Sequence, residues 1–128
     1  MIINESAENY LETILVLSKK LPVVRSVDIS NELGFKKSSV SIAMKKLREN
    51  GYIAVDGEGN LTLLEPGREI AERIYSRHRL LTHFFVQLGV DEEVAAEDAC
   101  KAEHILSEQT LEKIREYALL HDAQDSVK

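Results

Sequence analysis

Three residues with metal-binding side chains, Cys100, Glu103 and His104, lie within one short stretch, "CKAEH". We predict a helix over about residues 92–106, in which positions i, i+3 and i+4 share one face. A thiolate, a carboxylate and an imidazole together suit a borderline transition metal better than calcium or magnesium. The same spacing fits a buried cysteine beside an exposed Glu-His pair, so this cluster alone leaves both interpretations open.

His78 and Glu12 are two more polar residues in places where the apolar pattern makes them unusual. His78 occupies the apolar seam of a long predicted helix, where a core histidine bonded to a carbonyl is the alternative to a metal ligand. Glu12 lies beside the apolar stripe of the first predicted helix, and Asn9 lies one turn before it. Exposure to solvent is the ordinary explanation for Glu12 and Asn9, so their role stays open at this point.

A catalytic site fits the sequence poorly. A Cys-His nucleophile pair needs two residues that face each other from separate elements, which one predicted helix does not provide. The sequence contains no H-E-x-x-H motif, no G-x-S-x-G motif and no glycine-rich phosphate loop. We therefore expect that the protein is not an enzyme.

The first half of the chain, which must position Asn9 and Glu12, has the pattern of a winged helix-turn-helix. A first helix beginning after Asn4 or Ser6 is followed by two shorter helices, which end at Gly34 and Gly51. Two β-prone runs, 52–55 and 61–64, then flank the glycine-rich tip "DGEGN" and predict a hairpin. The order helix, helix, turn, helix, hairpin predicts a winged helix-turn-helix domain over residues 1–65.

The second half of the chain, residues 66–128, is predicted to be a helical domain. Its first helix starts at Pro66, which is favoured in a first turn, and stops before Gly89. Further helices are expected over about 92–106 and 108–120, and the tail "HDAQDSVK" has the composition of a frayed end. The predicted fold class is therefore mainly α with a small β-wing, in which a winged helix-turn-helix precedes an α-helical domain.

Charge is distributed unevenly along an acidic chain. The formal net charge is −6, yet residues 36–48, "KKSSVSIAMKKLR", contain five basic residues and no acidic one. This stretch forms the second helix of the predicted helix-turn-helix, which is the helix that enters the major groove of DNA. Because the basic stretch coincides with that position, we predict that it binds DNA rather than forming only a solvated surface.

Composition also indicates where the protein works. No apolar run approaches the roughly 18–20 residues that span a bilayer, and "MIINESAENY" lacks the basic and apolar regions of a signal peptide. The chain has one cysteine, so it cannot form an internal disulfide. We expect a cytoplasmic protein without a membrane partner, in which the thiol stays reduced.

Over residues 5–120 the chain resembles the metal-dependent repressors of the diphtheria toxin repressor and manganese transport regulator family. The resemblance is carried by "SAENYLETI", "RSVDISNELGFKKSSVSIAMKKLRENGYI", "GEGNLTLLEPG", "RHRLLTHFFVQLGVDEE" and "DACKAEH". These stretches occur in the same order as in the family. The length resembles the manganese-regulator branch, because the toxin-repressor branch would continue into a further SH3-like domain.

The resemblance implies a metal site and its ligands. "CKAEH" resembles the iron-responsive branch, whereas Glu12 resembles the manganese branch, and Asn9 stands where methionine or aspartate is usual. It implies Fe²⁺ as the favoured cofactor and Mn²⁺ as the next, while Zn²⁺, Co²⁺ or Ni²⁺ could substitute in vitro. The ligands implied are Asn9, Glu12, His78, Cys100, Glu103 and His104.

The resemblance also implies the partners. A homodimer joined through its C-terminal helices would present two recognition helices to a pseudo-palindromic DNA operator, in major grooves about 34 Å apart. The protein would then be a metal-activated repressor of metal-uptake genes. The alternatives are a winged-helix regulator that needs no metal and, from another class, a small metalloenzyme. The residues expected on the DNA-binding face are Arg25, Lys36, Lys37, Ser38, Ser39, Ser41 and Lys45.

Overall fold

The computed structural model describes residues 3–127, with side chains described over residues 3–123. These residues form two compact units, which divide between Arg73 and Ile74, within the fourth helix. None of the described helices is long and apolar enough to cross a membrane. The elements are α1 (Glu5–Ser18), α2 (Ser26–Leu33), α3 (Lys37–Glu49), β1 (Ile53–Val55), β2 (Leu61–Leu63), α4 (Glu65–Gln87), α5 (Glu92–Ala102) and α6 (Glu108–Val127).

Helix α1 begins where the sequence predicts a cap. Asn4 Oδ1 accepts a hydrogen bond from the backbone N–H of Ala7 at 2.9 Å, which satisfies one donor of the first turn. Glu5 and Glu8 in that turn complement the helix dipole. The apolar face of α1 packs into the core of the first unit, whose most deeply buried members include Leu11, Ile14, Ile29, Val40, Leu47 and Ile53.

Helices α2 and α3 form the helix-turn-helix. Helix α2 ends at Gly34, which has φ +70° and whose N–H donates to the Ser30 carbonyl at 2.9 Å. The Ser30 hydroxyl donates to the Phe35 carbonyl at 2.6 Å, which fixes the turn before α3. Helix α3 starts at Lys37 and buries Val40, Met44 and Leu47.

The wing is a two-stranded antiparallel hairpin in which Ile53 pairs with Leu63 and Val55 with Leu61. It is attached to the loop before α2, because the Leu61 N–H donates to the Val24 carbonyl at 2.7 Å. A Cβ atom added at Gly67, in the first turn of α4, would lie 2.2 Å from the Tyr52 carbonyl oxygen. Glycine is therefore required where α4 passes the start of the hairpin.

In the second unit, the remainder of α4 packs with α5 and α6 around Leu81, Ala99 and Leu111. Partly buried apolar residues extend this core: Leu80, Phe85, Ala102, Leu106 and Ile114.

Two predicted helix ends in this unit are wrong. Helix α5 ends at Ala102, not near Leu106. The chain tightens there into a turn in which the Ile105 N–H donates to the Ala102 carbonyl at 3.1 Å. Ser107 then caps α6, since its Oγ accepts a hydrogen bond from the Thr110 N–H at 3.2 Å. Helix α6 continues to Val127 rather than ending near Leu120. The tail contains neither glycine nor proline, so nothing in its sequence forces the helix to stop.

Candidate metal centre and DNA-binding face

The second unit places Glu103 between two histidines. Glu103 Oε2 lies 3.0 Å from His78 Nδ1, and Glu103 Oε1 lies 3.3 Å from His104 Nε2. The Glu103 side chain is 0% exposed and the His104 side chain is 3% exposed, whereas His78 retains 31%. The structure thus brings three of the predicted ligands together in one mostly buried cluster.

One oxygen of this cluster lacks a hydrogen bond. Within the part of the chain that the structure describes, Glu103 Oε1 is buried and accepts none, although His104 Nε2 is 3.3 Å away without hydrogen-bonding geometry. A buried carboxylate that is incompletely paired is strongly unfavourable. A divalent cation would satisfy this oxygen and offset the negative charge. Carboxylate and imidazole donors also match the ligand chemistry of first-row transition metals, so the cluster fits a metal site.

The cluster is built by local features of α4 and α5. His78 lies on α4, where its backbone carbonyl accepts a hydrogen bond from Thr82 Oγ1 at 2.8 Å. Because α5 ends at Ala102, Glu103 and His104 lie at its C-terminal cap and in the following turn. The Glu103 N–H still donates to the Ala99 carbonyl at 2.9 Å, which continues the helical geometry for one more residue.

Arg77 is a supporting residue that sequence reasoning missed. Its Nη1 donates to the Glu103 backbone carbonyl at 3.3 Å, and its Nη2 forms an ion pair with the Glu108 carboxylate. Its side chain is only 15% exposed. Arg77 therefore joins α4 to both ends of the turn that carries Glu103 and His104. The one available signal was the neighbouring position of Arg77 and His78 in the sequence.

The other predicted ligands are placed as follows. Cys100 lies on α5, one turn before Glu103, and is exposed. Asn9 and Glu12 belong to α1 in the first unit, where Asn9 is half-buried and Glu12 is buried at 8% exposure. A carboxylate so withdrawn from water is unusual unless it has a polar or cationic partner.

All seven residues predicted for the DNA-binding face are exposed. Arg25 precedes α2 at its N-cap position, and the other six cluster at the start and middle of α3. Lys46 and Arg48 add exposed positive charge in the last turn of α3. The exposed set predicted from the sequence is Arg25, Lys36, Lys37, Ser38, Ser39, Ser41 and Lys45.

Arg25 is also tied to the wing, through a contact that sequence reasoning missed. Arg25 Nε donates to Asn60 Oδ1 at 3.1 Å, and Asn60 Nδ2 donates to Asp56 Oδ2 at 3.0 Å. Asp56 Oδ1 accepts the backbone N–H groups of Glu58 and Asn60, each at 2.9 Å. These bonds, led by the one from the Asn60 backbone, hold the pKa of Asp56 below its usual 3.8. The Asp56 carboxylate at the wing tip thus accepts its hydrogen bonds from residues of its own turn.

Both halves of the chain match one protein family. Residues 3–61 match the iron dependent repressor, N-terminal DNA binding domain, and residues 64–120 match the iron dependent repressor, metal binding and dimerisation domain. The chain therefore belongs to the iron dependent repressor family. It is a member of a class of metal-dependent, DNA-binding transcriptional regulators.

Individual relatives agree with this assignment. An uncharacterised HTH-type transcriptional regulator of Methanocaldococcus jannaschii is 36% identical over 114 residues, covering 88% of this chain and 91% of the relative. The HTH-type transcriptional regulator MntR of Bacillus subtilis is 32% identical over 123 residues, covering 96% of this chain and 87% of the relative.

Two solved structures share the architecture. A manganese-dependent transcriptional repressor in complex with manganese has a TM-score of 0.80 and 28% identity, covering 88% of this chain and 52% of that chain. The structure of IdeR from T. acidophilum has a TM-score of 0.75 and 26% identity, covering 91% of this chain and 55% of that chain. The chain spans about half the length of these two proteins. The predicted fold class, family and regulator class are confirmed.

Proposed function

We propose that this protein is a homodimeric repressor of metal-uptake genes that binds DNA when it holds a divalent metal. The observation that best supports a metal is the buried Glu103 carboxylate, which lies between His78 and His104 with one oxygen lacking a hydrogen bond among the described residues. The helix-turn-helix with its exposed basic helix supports the DNA partner.

Six residues are proposed as ligands. His78, Glu103 and His104 form the buried part of the site, and Cys100 is added from the preceding turn of α5. Asn9 and Glu12 are added from α1 because the family resemblance implies them. Asn9 would ligate through its side-chain carbonyl oxygen, which is neutral and weaker than the carboxylate of Glu12.

This ligand set would couple metal binding to DNA binding. We assign residues 1–65 to DNA binding and residues 66–128 to metal binding and dimerisation, so the proposed ligands are drawn from both domains. Glu12, Glu103 and the Cys100 thiolate carry like charges, which oppose their assembly until a divalent cation offsets them. A dimer already held in the DNA-competent arrangement then loses less conformational entropy when it binds.

Fe²⁺ is proposed as the favoured metal and Mn²⁺ as the next. The thiolate of Cys100 is a softer donor than a carboxylate, whereas Mn²⁺ prefers hard oxygen ligands such as Glu12. Zn²⁺, Co²⁺ and Ni²⁺ would substitute in vitro, because intrinsic affinity rises from Mn²⁺ and Fe²⁺ towards these ions.

The DNA partner is proposed to be a pseudo-palindromic operator in the cytoplasm. Two recognition helices of a dimer would enter successive major grooves, about 34 Å apart. The seven exposed residues of the DNA-binding face would supply phosphate contacts and short polar contacts to bases.

The experiment is an anaerobic DNA-binding titration with duplexes obtained by in vitro selection with the metal-loaded protein. We expect tight, dimeric binding in Fe²⁺ or Mn²⁺ and weak binding in chelator. Equal affinity in chelator and in excess metal would contradict the proposal and favour the metal-independent regulator. Turnover of a substrate without metal-dependent DNA affinity would favour the metalloenzyme.

A lysine variant tests the DNA-binding face in the same assay. Lys45→Ala should weaken binding to all duplexes and lower the magnitude of the salt slope by about 1, as expected for one lost phosphate contact. Lys113→Ala, which removes an exposed lysine from α6, is the matched control and should change neither quantity. Equal salt slopes in the wild type and Lys45→Ala would exclude Lys45 from the interface.

A further inference from the structure

Helix α3 presents one large apolar side chain to solvent. Ile42 is 61% exposed, whereas Val40, Met44 and Leu47 are at most 3% exposed. The whole of α3 is described, and Ile42 is its only exposed large hydrophobic residue. Ile42 lies two residues from both Val40 and Met44, which places it about 200° around the helix from them. It therefore stands at the centre of the face opposite the core.

The neighbours of Ile42 on that face are short or basic. Ser38 lies one turn before it, Lys45 lies nearly one turn after it, and Ser41 is adjacent; all three are exposed. Serine side chains are too short to keep an isoleucine away from a surface that docks on the helix. Lysines on the same face would contact phosphates and hold the helix close to the DNA.

A single exposed isoleucine needs no explanation on most surfaces. The position of Ile42 makes its exposure informative, because this face is the one that a recognition helix turns towards base edges. In the major groove, the thymine C5-methyl group is the apolar feature that distinguishes one base from the others. A β-branched side chain has few rotamers to lose, so an apolar contact with a methyl group costs little entropy.

We propose that Ile42 reads thymine methyl groups in the major groove and sets a preference for A·T pairs at the centre of each operator half-site. This inference rests on the proposed function, since it requires a DNA-bound α3. It adds a specificity determinant that lies outside the predicted set of arginine, lysine and serine residues.

The test replaces thymine by deoxyuridine, one position at a time, in a duplex selected with the metal-loaded wild-type protein. This change removes only the methyl group. We expect the wild type to lose about fourfold in affinity at each contacted position, as for exposing one methyl-sized apolar group. Ile42→Ala should bind the thymine duplex more weakly and should no longer distinguish thymine from deoxyuridine at those positions, while Ile42→Val should keep part of the distinction.

Val23→Ala is the matched control, because Val23 is also an exposed aliphatic residue, at 48%, but lies in the loop before α2. It should retain the full thymine preference. Equal binding of thymine and deoxyuridine duplexes by the wild type, or an unchanged preference in Ile42→Ala, would overturn the inference alone. Failure of the selection to yield any metal-dependent duplex would overturn the proposed function, and this inference with it.

Discussion

His78 Nδ1 lies 3.0 Å from Glu103 Oε2, although 25 positions separate the two residues in the chain. The contact joins α4 to the end of α5, and His104 approaches the other oxygen of the same carboxylate. Glu103 is thus the central acceptor of the cluster. Because this buried carboxylate lies between two imidazoles, substituting Glu103 is the most direct test of the proposed metal site.

Substituting Glu103→Gln should abolish stabilisation by metal. Glutamine keeps the shape of the side chain but removes the charge and one anionic donor. In the wild type, metal at 100 times its Kd should stabilise the fold by about 2.7 kcal/mol, visible as a rise in Tm. Glu97→Gln changes an exposed carboxylate on α5 and should keep the full rise. A normal metal-induced rise in Glu103→Gln would rule out Glu103 as a ligand.

Arg77→Ala should weaken metal binding without removing a ligand. Arg77 contacts the Glu103 carbonyl and the Glu108 carboxylate, so its loss would free the turn between α5 and α6. Residues that orient metal ligands typically contribute 10- to 100-fold in affinity, and we expect about tenfold by calorimetric titration. The control is Arg115→Ala, which removes an exposed ion pair within α6. An Arg77→Ala protein that binds metal like the control would show that the contact is merely structural.

Most elements follow from sequence because their signals are local. Helix α2 (Ser26–Leu33) ends where the sequence predicts, because Gly34 provides the left-handed residue that ends it. The hairpin also lies where the glycine-rich tip predicts it. The end of α5 does not follow from the sequence: the helix stops at Ala102 and residues 103–107 form a turn, although α6 begins at Glu108 as predicted.

The supporting contacts of the sites could not be predicted in this way. Arg77 reaches Glu103 across 26 positions, and Arg25 reaches Asn60 across 35. Periodicity shows which face of a helix is buried, but it does not show which distant residue meets a given side chain. Cys100, Glu103 and His104 have side chains that commonly bind metals, whereas Asn60 and Arg77 are residue types that are common at exposed positions.

Asn60→Ala should weaken DNA binding through Arg25. Asn60 accepts from Arg25 Nε at 3.1 Å and so restricts the guanidinium group before DNA arrives. We expect a loss of a few fold in affinity. In a double-mutant cycle, Asn60→Ala should have little further effect when Arg25 is already alanine. Metal affinity should be unchanged in all three variants. Additive losses would mean that the two residues act on DNA independently.

The wing tip should respond to acid at an unusually low pH. The pKa of Asp56 is below 3.8, chiefly because the Asn60 backbone N–H donates to its carboxylate. A folded-state pKa below the unfolded value, about 3.9, means that the stabilisation is present above that value. It is lost as the pH falls through the lower, folded-state pKa.

An NMR titration checks whether the pKa of Asp56 is lowered in the folded protein. The Asn60 amide signal should shift below about pH 3.9, and the change should be absent in Asp56→Asn, which cannot ionise. A midpoint at or above the ordinary aspartate value would show that the turn does not stabilise the charged carboxylate.

Cys100 should bias the site towards Fe²⁺. A thiolate is a softer donor than carboxylate, and Mn²⁺ gains least from it, whereas Glu12 favours Mn²⁺ as a hard ligand. Cys100→Glu replaces the soft donor by a hard one and adds no other change to α5. We therefore expect the ratio of DNA-binding activation by Fe²⁺ to that by Mn²⁺ to fall in this variant relative to the wild type.

The measurement is an anaerobic titration of DNA binding with each metal, using the same selected duplex throughout. Cys100→Ser is the control, because it removes the thiolate without supplying a carboxylate. It should weaken the activation of DNA binding by Fe²⁺, and it should not show the increased activation by Mn²⁺ that is expected of Cys100→Glu. Because Co²⁺, Ni²⁺ and Zn²⁺ bind more tightly in general, trace metals must be removed before the ratio has meaning. A wild type that already responds better to Mn²⁺, or an unchanged ratio in Cys100→Glu, would show that selectivity is set by other ligands, with Glu12 the first to examine.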